Sequence, residues 1–162
     1  MELAEPGPDV LALDRQVCFA LAVASRSVNA LYRPLLEPLQ LTHPQYLVML
    51  ALWERSPRSV KDLSGSLRLD SATLSPLLKR LEALGYCTRR RSATDERMLT
   101  VELTGRGREL RIEAEKIPPA IVERLGMDLD ELVDLHRALS RVIAATDRSP
   151  VPAGTEVPTG SP

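Results

Sequence analysis

Two cysteines, Cys18 and Cys87, are the side chains of this 162-residue sequence best suited to covalent chemistry. Two thiols form no disulfide framework, and no His, Asp or Glu cluster stands beside either at metal-ligand spacing, so neither a stapled fold nor a metal site is expected. A cysteine senses oxidants only where its thiolate is favoured and reachable. Cys18 follows Val17 and lies beside a heptad seam, where a small apolar residue in a dimer core is the commoner role. Cys87 falls on a short strand, facing the core by alternation or lining the turn, and reads as structural. A second set of residues suits recognition. Ser71, Thr73, Ser75, Pro76, Lys79 and Arg80 recur along one stretch, and Arg89, Arg90, Asp95 and Arg97 follow in the next. Hydroxyls and arginine match base edges, and lysine matches phosphate.

The elements that must hold these residues follow from periodicity. Over residues 70–85, Leu74, Leu77, Leu78, Leu81 and Leu84 draw an apolar stripe, with Asp70 at the N-cap and Gly85 at the stop. Pro76 is tolerable only if the helix effectively starts near Thr73, where its missing N–H is free anyway. Residues 86–91 and 98–103 then read as two strands around a charged tip, in which Asp95 would hold the Arg97 guanidinium for the minor groove. A helix with a small polar outer face followed by a basic hairpin is the layout of a winged helix-turn-helix.

Upstream, residues 9–37 form a long helix in which Val17, Leu21, Ala24, Val28, Leu31 and Leu35 make a heptad seam that needs a partner helix. Pro34 and Pro38 distort or end it. Residues 44–55 form a buried helix, and Ser59 caps a short helix over 60–67. Downstream, Thr104 caps a helix running to Ile117, where Pro118-Pro119 forces a break or kink. A short piece ends at Gly126, and Asp128 begins an amphipathic helix to about Thr146. The expected organisation is a flexible leader (1–8), an N-terminal dimerisation helix (9–38), a winged helix-turn-helix (39–104), C-terminal dimerisation helices (105–146) and a disordered tail (147–162). The fold class is mainly α with a small β-hairpin wing. Two-fold pairing of the terminal helices as dimerisation arms would set two recognition helices on successive half-sites.

Composition agrees. One Phe, one Trp and three Tyr leave a core built from leucine, as in helical proteins. Net charge is −1, yet residues 58–111 carry 12 Lys/Arg against 7 Asp/Glu, a local +5 that matters more for DNA than the total. A signal pattern and a membrane-length apolar run are both absent, so a cytoplasmic protein with no membrane partner is expected. No constellation for turnover accompanies either cysteine; neither an enzyme nor a cofactor is expected.

Six segments are similar to the MarR family of winged-helix repressors. They are LDRQVCFALAVASR (13–26), YRPLLEPL (32–39), PQYLVMLALWE (44–54), LDSATLSPLLKRLEALG (69–85), TRRRSATDER (88–97) and LTGRGRELR (103–111). The wing pattern Asp95-Glu96-Arg97 belongs to the wider family, while LDRQVCFAL with PLLEPL and PQYLV resembles its organic-hydroperoxide-resistance regulator (OhrR) branch. That resemblance implies a homodimer on double-stranded operator DNA, and Cys18 as the sensor that organic hydroperoxides oxidise to sulfenic acid. A disulfide with a small thiol, a disulfide with a second protein cysteine, or over-oxidation would follow, and the repressor would then release a peroxide-resistance gene. Cys87 does not match the branch's resolving cysteine, so a mixed disulfide with a small-molecule thiol is expected. It also implies a sensor pocket from Tyr32, His43 and Tyr46. His43 stands where the branch carries tyrosine, and either hydrogen-bonds the sulfur, lowers its pKa as an imidazolium, or is a surface residue before a helix. Tyr46 also fits a core position, and Ala22 replaces a second branch tyrosine. At the standard helical rise Tyr32 lies roughly 21 Å from Cys18 along one helix, so any contact between them must come from the partner subunit. Release by a small aromatic ligand is the alternative within the family.

Overall fold

The computed structural model describes residues 9–92, 94–95 and 97–148, and the chain divides after Ile121 into two compact units. The first begins with a 3-10 turn, Leu13–Arg15, and helix α1, Val17–Leu36. The helix therefore starts eight residues later than periodicity suggests. The Gln16 side-chain amide donates to the Val10 and Ala12 carbonyls, which holds the preceding chain in turns. Pro34 sits within the last turn of α1, and Pro38 falls in the 3-10 turn Glu37–Leu39 that follows. The seam is open in the single chain: Val17 is 68% and Leu21 37% exposed, and only Leu36 of α1 is buried.

Helix α2, His43–Glu54, starts on a reciprocal capping box. Thr42 Oγ1 accepts from the Gln45 amide and Gln45 Oε1 from the Thr42 amide. Strand β1, Arg58–Ser59, is an element the periodicity misses; two residues are too few to alternate. Ser59 caps α3, Val60–Leu67, and Asp70 caps α4, Ser71–Ala83. Strands β2, Cys87–Arg91, and β3, Leu99–Leu103, pair antiparallel, with Cys87 opposite Leu103 and Arg91 opposite Leu99. β1 adds to the far edge of β3, giving the order β1-β3-β2.

The core is the leucine-rich set foreseen from composition: Leu36, Leu52, Leu63, Leu74, Leu78 and Leu81 are almost wholly buried, with Met49 and Val101. Helix α5, Gly105–Ala114, packs closely on the sheet. A Cβ at Gly107 would stand 2.0 Å from the Tyr86 carbonyl oxygen, so only glycine fits. Helix α6, Ile117–Leu125, carries Pro118 and Pro119 at its second and third positions. The interruption thus precedes the prolines, which occupy a first turn where a missing N–H costs nothing.

In the second unit, Asp128 and Glu131 form another capping box before α7, Leu129–Arg148. This helix includes the first two residues of the expected tail, and residues 1–8 and 149–162 lie outside the described ones. Val133, Leu135, Val142 and Ile143 remain exposed along α7, which buries no residue.

The most unusual core group is Arg58, a charged side chain only 5% exposed. Its Nε donates to Asp62 Oδ2 at 2.6 Å, its Nη1 to the Ala51 carbonyl at 3.0 Å and its Nη2 to Ser66 Oγ, so α2 and α3 are fixed to β1 through one guanidinium. Arg58→Ala is expected to lower stability by about 2–3 kcal/mol, the range for losing charge-assisted bonds and baring a buried carbonyl. Arg55→Ala, at the exposed end of the same network, should cost under about 1 kcal/mol. Urea titration of both variants measures the difference.

Candidate DNA-reading surface and sulfur site

Helix α4 presents two unlike sides. Leu74, Leu78 and Leu81 are buried, while Ser71, Thr73, Ser75, Pro76, Lys79 and Arg80 are all exposed. Asp70 fixes where this surface begins: its Oδ1 accepts from the Thr73 amide at 2.6 Å, and that backbone bond holds the carboxyl below its usual range. Because the helix starts at Ser71, Pro76 lies beyond the first turn, not within it. The donor lost is the one that would have met the Ala72 carbonyl, on an exposed residue where water can replace it. Gly85, at φ +77°, ends the helix: its amide donates to the Glu82 carbonyl and the Tyr86 amide to that of Leu81.

The wing is tied to this helix by Arg89. Its amide donates to Glu82 Oε1 at 3.1 Å, and Nε and Nη2 both reach Oε2, at 3.0 and 2.8 Å. The Arg89 guanidinium and amide hold the Glu82 carboxyl below its ordinary range. Arg89 therefore clamps β2 to α4, whereas Arg90, Arg91 and Arg97 are exposed. Asp95 Oδ1 accepts from the Arg97 backbone amide at 3.0 Å, not from its guanidinium. The carboxylate shapes the turn and leaves the Arg97 head available, a correction to the expected pairing.

The sulfur site comes in two halves. Cys18 is exposed, the second residue of α1, and its N-cap Gln16 supplies no side-chain capping bond. Tyr32, on the same unbroken helix, lies about 21 Å away at the standard rise. At that end Tyr32, His43 and Tyr46 do come together. The Tyr32 ring meets His43 edge-on at 4.9 Å and Tyr46 at 5.9 Å. Burial raises the Tyr32 and Tyr46 hydroxyls, the latter helped by Tyr32, and lowers His43. A lowered imidazole favours the neutral ring, which argues against an imidazolium at this place. His43 is the first residue of α2 and half-buried, so it is not merely a surface residue before a helix.

Trp53, which pattern reading passed over, extends the cluster, with its ring 6.4 Å from Tyr46 and its indole N–H donating to the Gly107 carbonyl at 2.8 Å. Being the sole tryptophan was its one signal. A 370 Å³ groove opens beside it, lined by Tyr46, Leu50, Trp53, Arg111 and Ala114 among others.

This geometry meets three comparisons. The model of the "Transcriptional regulator SarA/Rot" family matches residues 30–113. The organic hydroperoxide resistance transcriptional regulator of Bacillus subtilis is 43% identical over 127 residues, covering 76% of this chain and 86% of that one. The chain belongs to the MarR/SarA family of winged-helix transcriptional regulators. Another MarR/SarA-type relative, the HTH-type regulator TtmR of Methylorubrum extorquens, is 46% identical over 123 residues. This chain spans only 63% of TtmR's length, with 76% of its own. Among solved structures, AbfR of Staphylococcus epidermidis superposes with a TM-score of 0.71 at 31% identity, over 84% of this chain and 94% of that one. AbfR has been seen reduced on DNA, overoxidized on DNA, and with a disulfide formed. These relatives are regulators, not enzymes. Among the described residues no helix is long and apolar enough to cross a membrane.

Cys87 is only 1% exposed, and burial, with Glu82 nearby, pushes its thiol up to about 11. At pH 7 a thiol of that pKa is ionised in about one molecule in 10⁴. Iodoacetamide is therefore expected to leave Cys87 unmodified in the folded protein and to label it fully in denaturant. Mass spectrometry of the two digests checks this.

Proposed function

We propose that the protein is a homodimeric operator-binding repressor that releases DNA when organic hydroperoxides oxidise Cys18. The observation that carries this reading is the split site: an exposed sulfur at one end of α1 and a cluster of two phenols and an imidazole at the other. Pairing α1 antiparallel with its copy would bury the open seam of Val17 and Leu21 and bring each sulfur to its partner's Tyr32. The name of the Bacillus subtilis relative and the redox forms of AbfR support the same direction.

The Cys18 thiolate attacks the terminal oxygen of the hydroperoxide, the O–O bond breaks, and the alkoxide takes a proton and leaves as the alcohol. Sulfur is oxidised to sulfenic acid. A small-molecule thiol then attacks that sulfur, forms the mixed disulfide and releases water. An added polar group or thiol adduct at a packed seam disfavours one dimer arrangement. About 5.5 kcal/mol between two arrangements inverts a 1:99 population. On DNA, α4 would enter the major groove through Ser71, Thr73, Ser75 and Arg80, with Lys79 and Arg90 on phosphates and Arg97 in the minor groove.

A second reading, release by a small aromatic ligand, is favoured by the groove beside Tyr46 and Trp53, with Arg111 at its edge. The two separate cleanly. Cys18→Ser is expected to bind operator DNA like wild type and to remain bound in cumene hydroperoxide, by gel shift. Dissociation of that variant like wild type, or release of both proteins by a phenolic compound without oxidant, would favour the ligand reading. Separately, Lys79→Ala is expected to weaken binding evenly across sequences and to reduce the slope of log K against log salt by about 1. Anisotropy titrations over a salt series measure that slope.

A further inference from the structure

We propose that Tyr86 is the positioning residue that carries movement of the segment ending α1 to the recognition helix and the wing, an inference that rests on the redox-repressor reading above. Tyr86 is a buried residue at a junction of four elements. Its hydroxyl donates to the Leu39 carbonyl at 2.9 Å, a buried bond between residues 47 apart in sequence. Leu39 closes the 3-10 turn that follows α1, in a segment pinned by the buried side chains of Leu36, Leu39 and Leu41.

The rest of Tyr86 belongs to the DNA-reading side. Its amide donates to the Leu81 carbonyl and closes the last turn of α4. Its carbonyl accepts from the Thr104 amide at 3.1 Å and faces the Cα of Gly107, so α5 starts against it. The next residue, Cys87, opens β2 and hence the wing. The ring is held independently of the hydroxyl, with the Arg106 guanidinium 5.2 Å from its centroid. One phenol thus joins the foot of the arm helix to the end of α4, the base of the wing and the start of α5.

This arrangement separates two properties that ordinary packing residues do not. Removing the hydroxyl leaves the ring, the α4 cap and the wing base in place, so the reading surface persists. What it removes is the bond through which a shift at Leu39 reaches them. A net hydrogen bond corresponds to about 3- to 10-fold in an equilibrium, which is the scale of the expected loss of coupling.

The test uses full-length Tyr86→Phe beside wild type and a duplex selected by wild type from a random pool. Reduced Tyr86→Phe is expected to bind within about 3-fold of wild type, while the reduced-to-oxidised affinity ratio after one equivalent of cumene hydroperoxide falls by about 3- to 10-fold. A second arm needs no oxidant. In wild type, duplex binding at α4 should slow hydrogen exchange of the Gln40 and Leu41 amides, which bond back to Glu37 and Leu36. In Tyr86→Phe that response should disappear while α4 remains protected. An unchanged affinity ratio, or an exchange response at Gln40 and Leu41 that is absent in wild type or equal in both proteins, overturns the proposal. If wild type itself ignores the hydroperoxide, the redox reading fails and the exchange arm alone decides the role of Tyr86.

Discussion

Unbroken α-helix is the constraint on which the proposed thiol chemistry depends. Cys18 and Tyr32 share α1, and fourteen residues of regular rise keep them about 21 Å apart. Along that helix the exposed thiol therefore has no phenol of its own chain within reach, and Tyr32 does not reach Cys18. In the proposed dimer the same stiffness becomes useful. Two rigid helices laid against each other register a change at the sulfur along their whole length, because packed seams have discrete arrangements instead of a continuum.

The DNA-reading part obeys a different economy. Its leucines are spent on one side of α4, leaving hydroxyls and cations on the other. Orientation is then fixed by short polar devices: Asp70 at the start of the helix, Gly85 at its end, the Arg89–Glu82 pair to the wing, and the Arg58–Asp62 pair behind it. The two arginine pairs are buried or half-buried on the arginine side, so each is less screened than an ordinary surface pair, while the Asp70 cap lies exposed. The local charge of +5 over residues 58–111 is consequently less available than a count suggests, since Arg58 and Arg89 serve the fold.

Much of this was legible in the sequence because it depends on neighbours along the chain. Caps at Ser59, Asp70 and Thr104, the leucine period of α4 and the hairpin strands are local signals, and they fall where the pattern places them. What was not legible depends on which polar partners meet a few residues away, across a turn or between neighbouring elements, and periodicity does not record that. The late start of α1 follows from Gln16 bonding backwards to Val10 and Ala12. Arg58 looks like any surface arginine until Ala51, Asp62 and Ser66 surround it, and Arg89 looks like a DNA contact until Glu82 takes it. Pro76 and the Asp95–Arg97 turn went differently for the same reason: backbone geometry decided which group was free. The meeting of Tyr32, His43 and Tyr46 came from a family likeness; Trp53 lies inside the matching segment 44–54, but that likeness gave it no role.

The central claim, that the sulfur and the phenols meet only between two copies, has one direct measurement. Tyr32→Cys in a Cys87→Ser background, oxidised mildly with diamide, places one thiol at each end of α1. Mass spectrometry of the product then identifies which positions are joined. A covalent dimer whose cross-linked peptides join position 18 of one subunit to position 32 of the other is predicted. A product that stays monomeric, or that joins no such pair while its thiols are consumed, would contradict it.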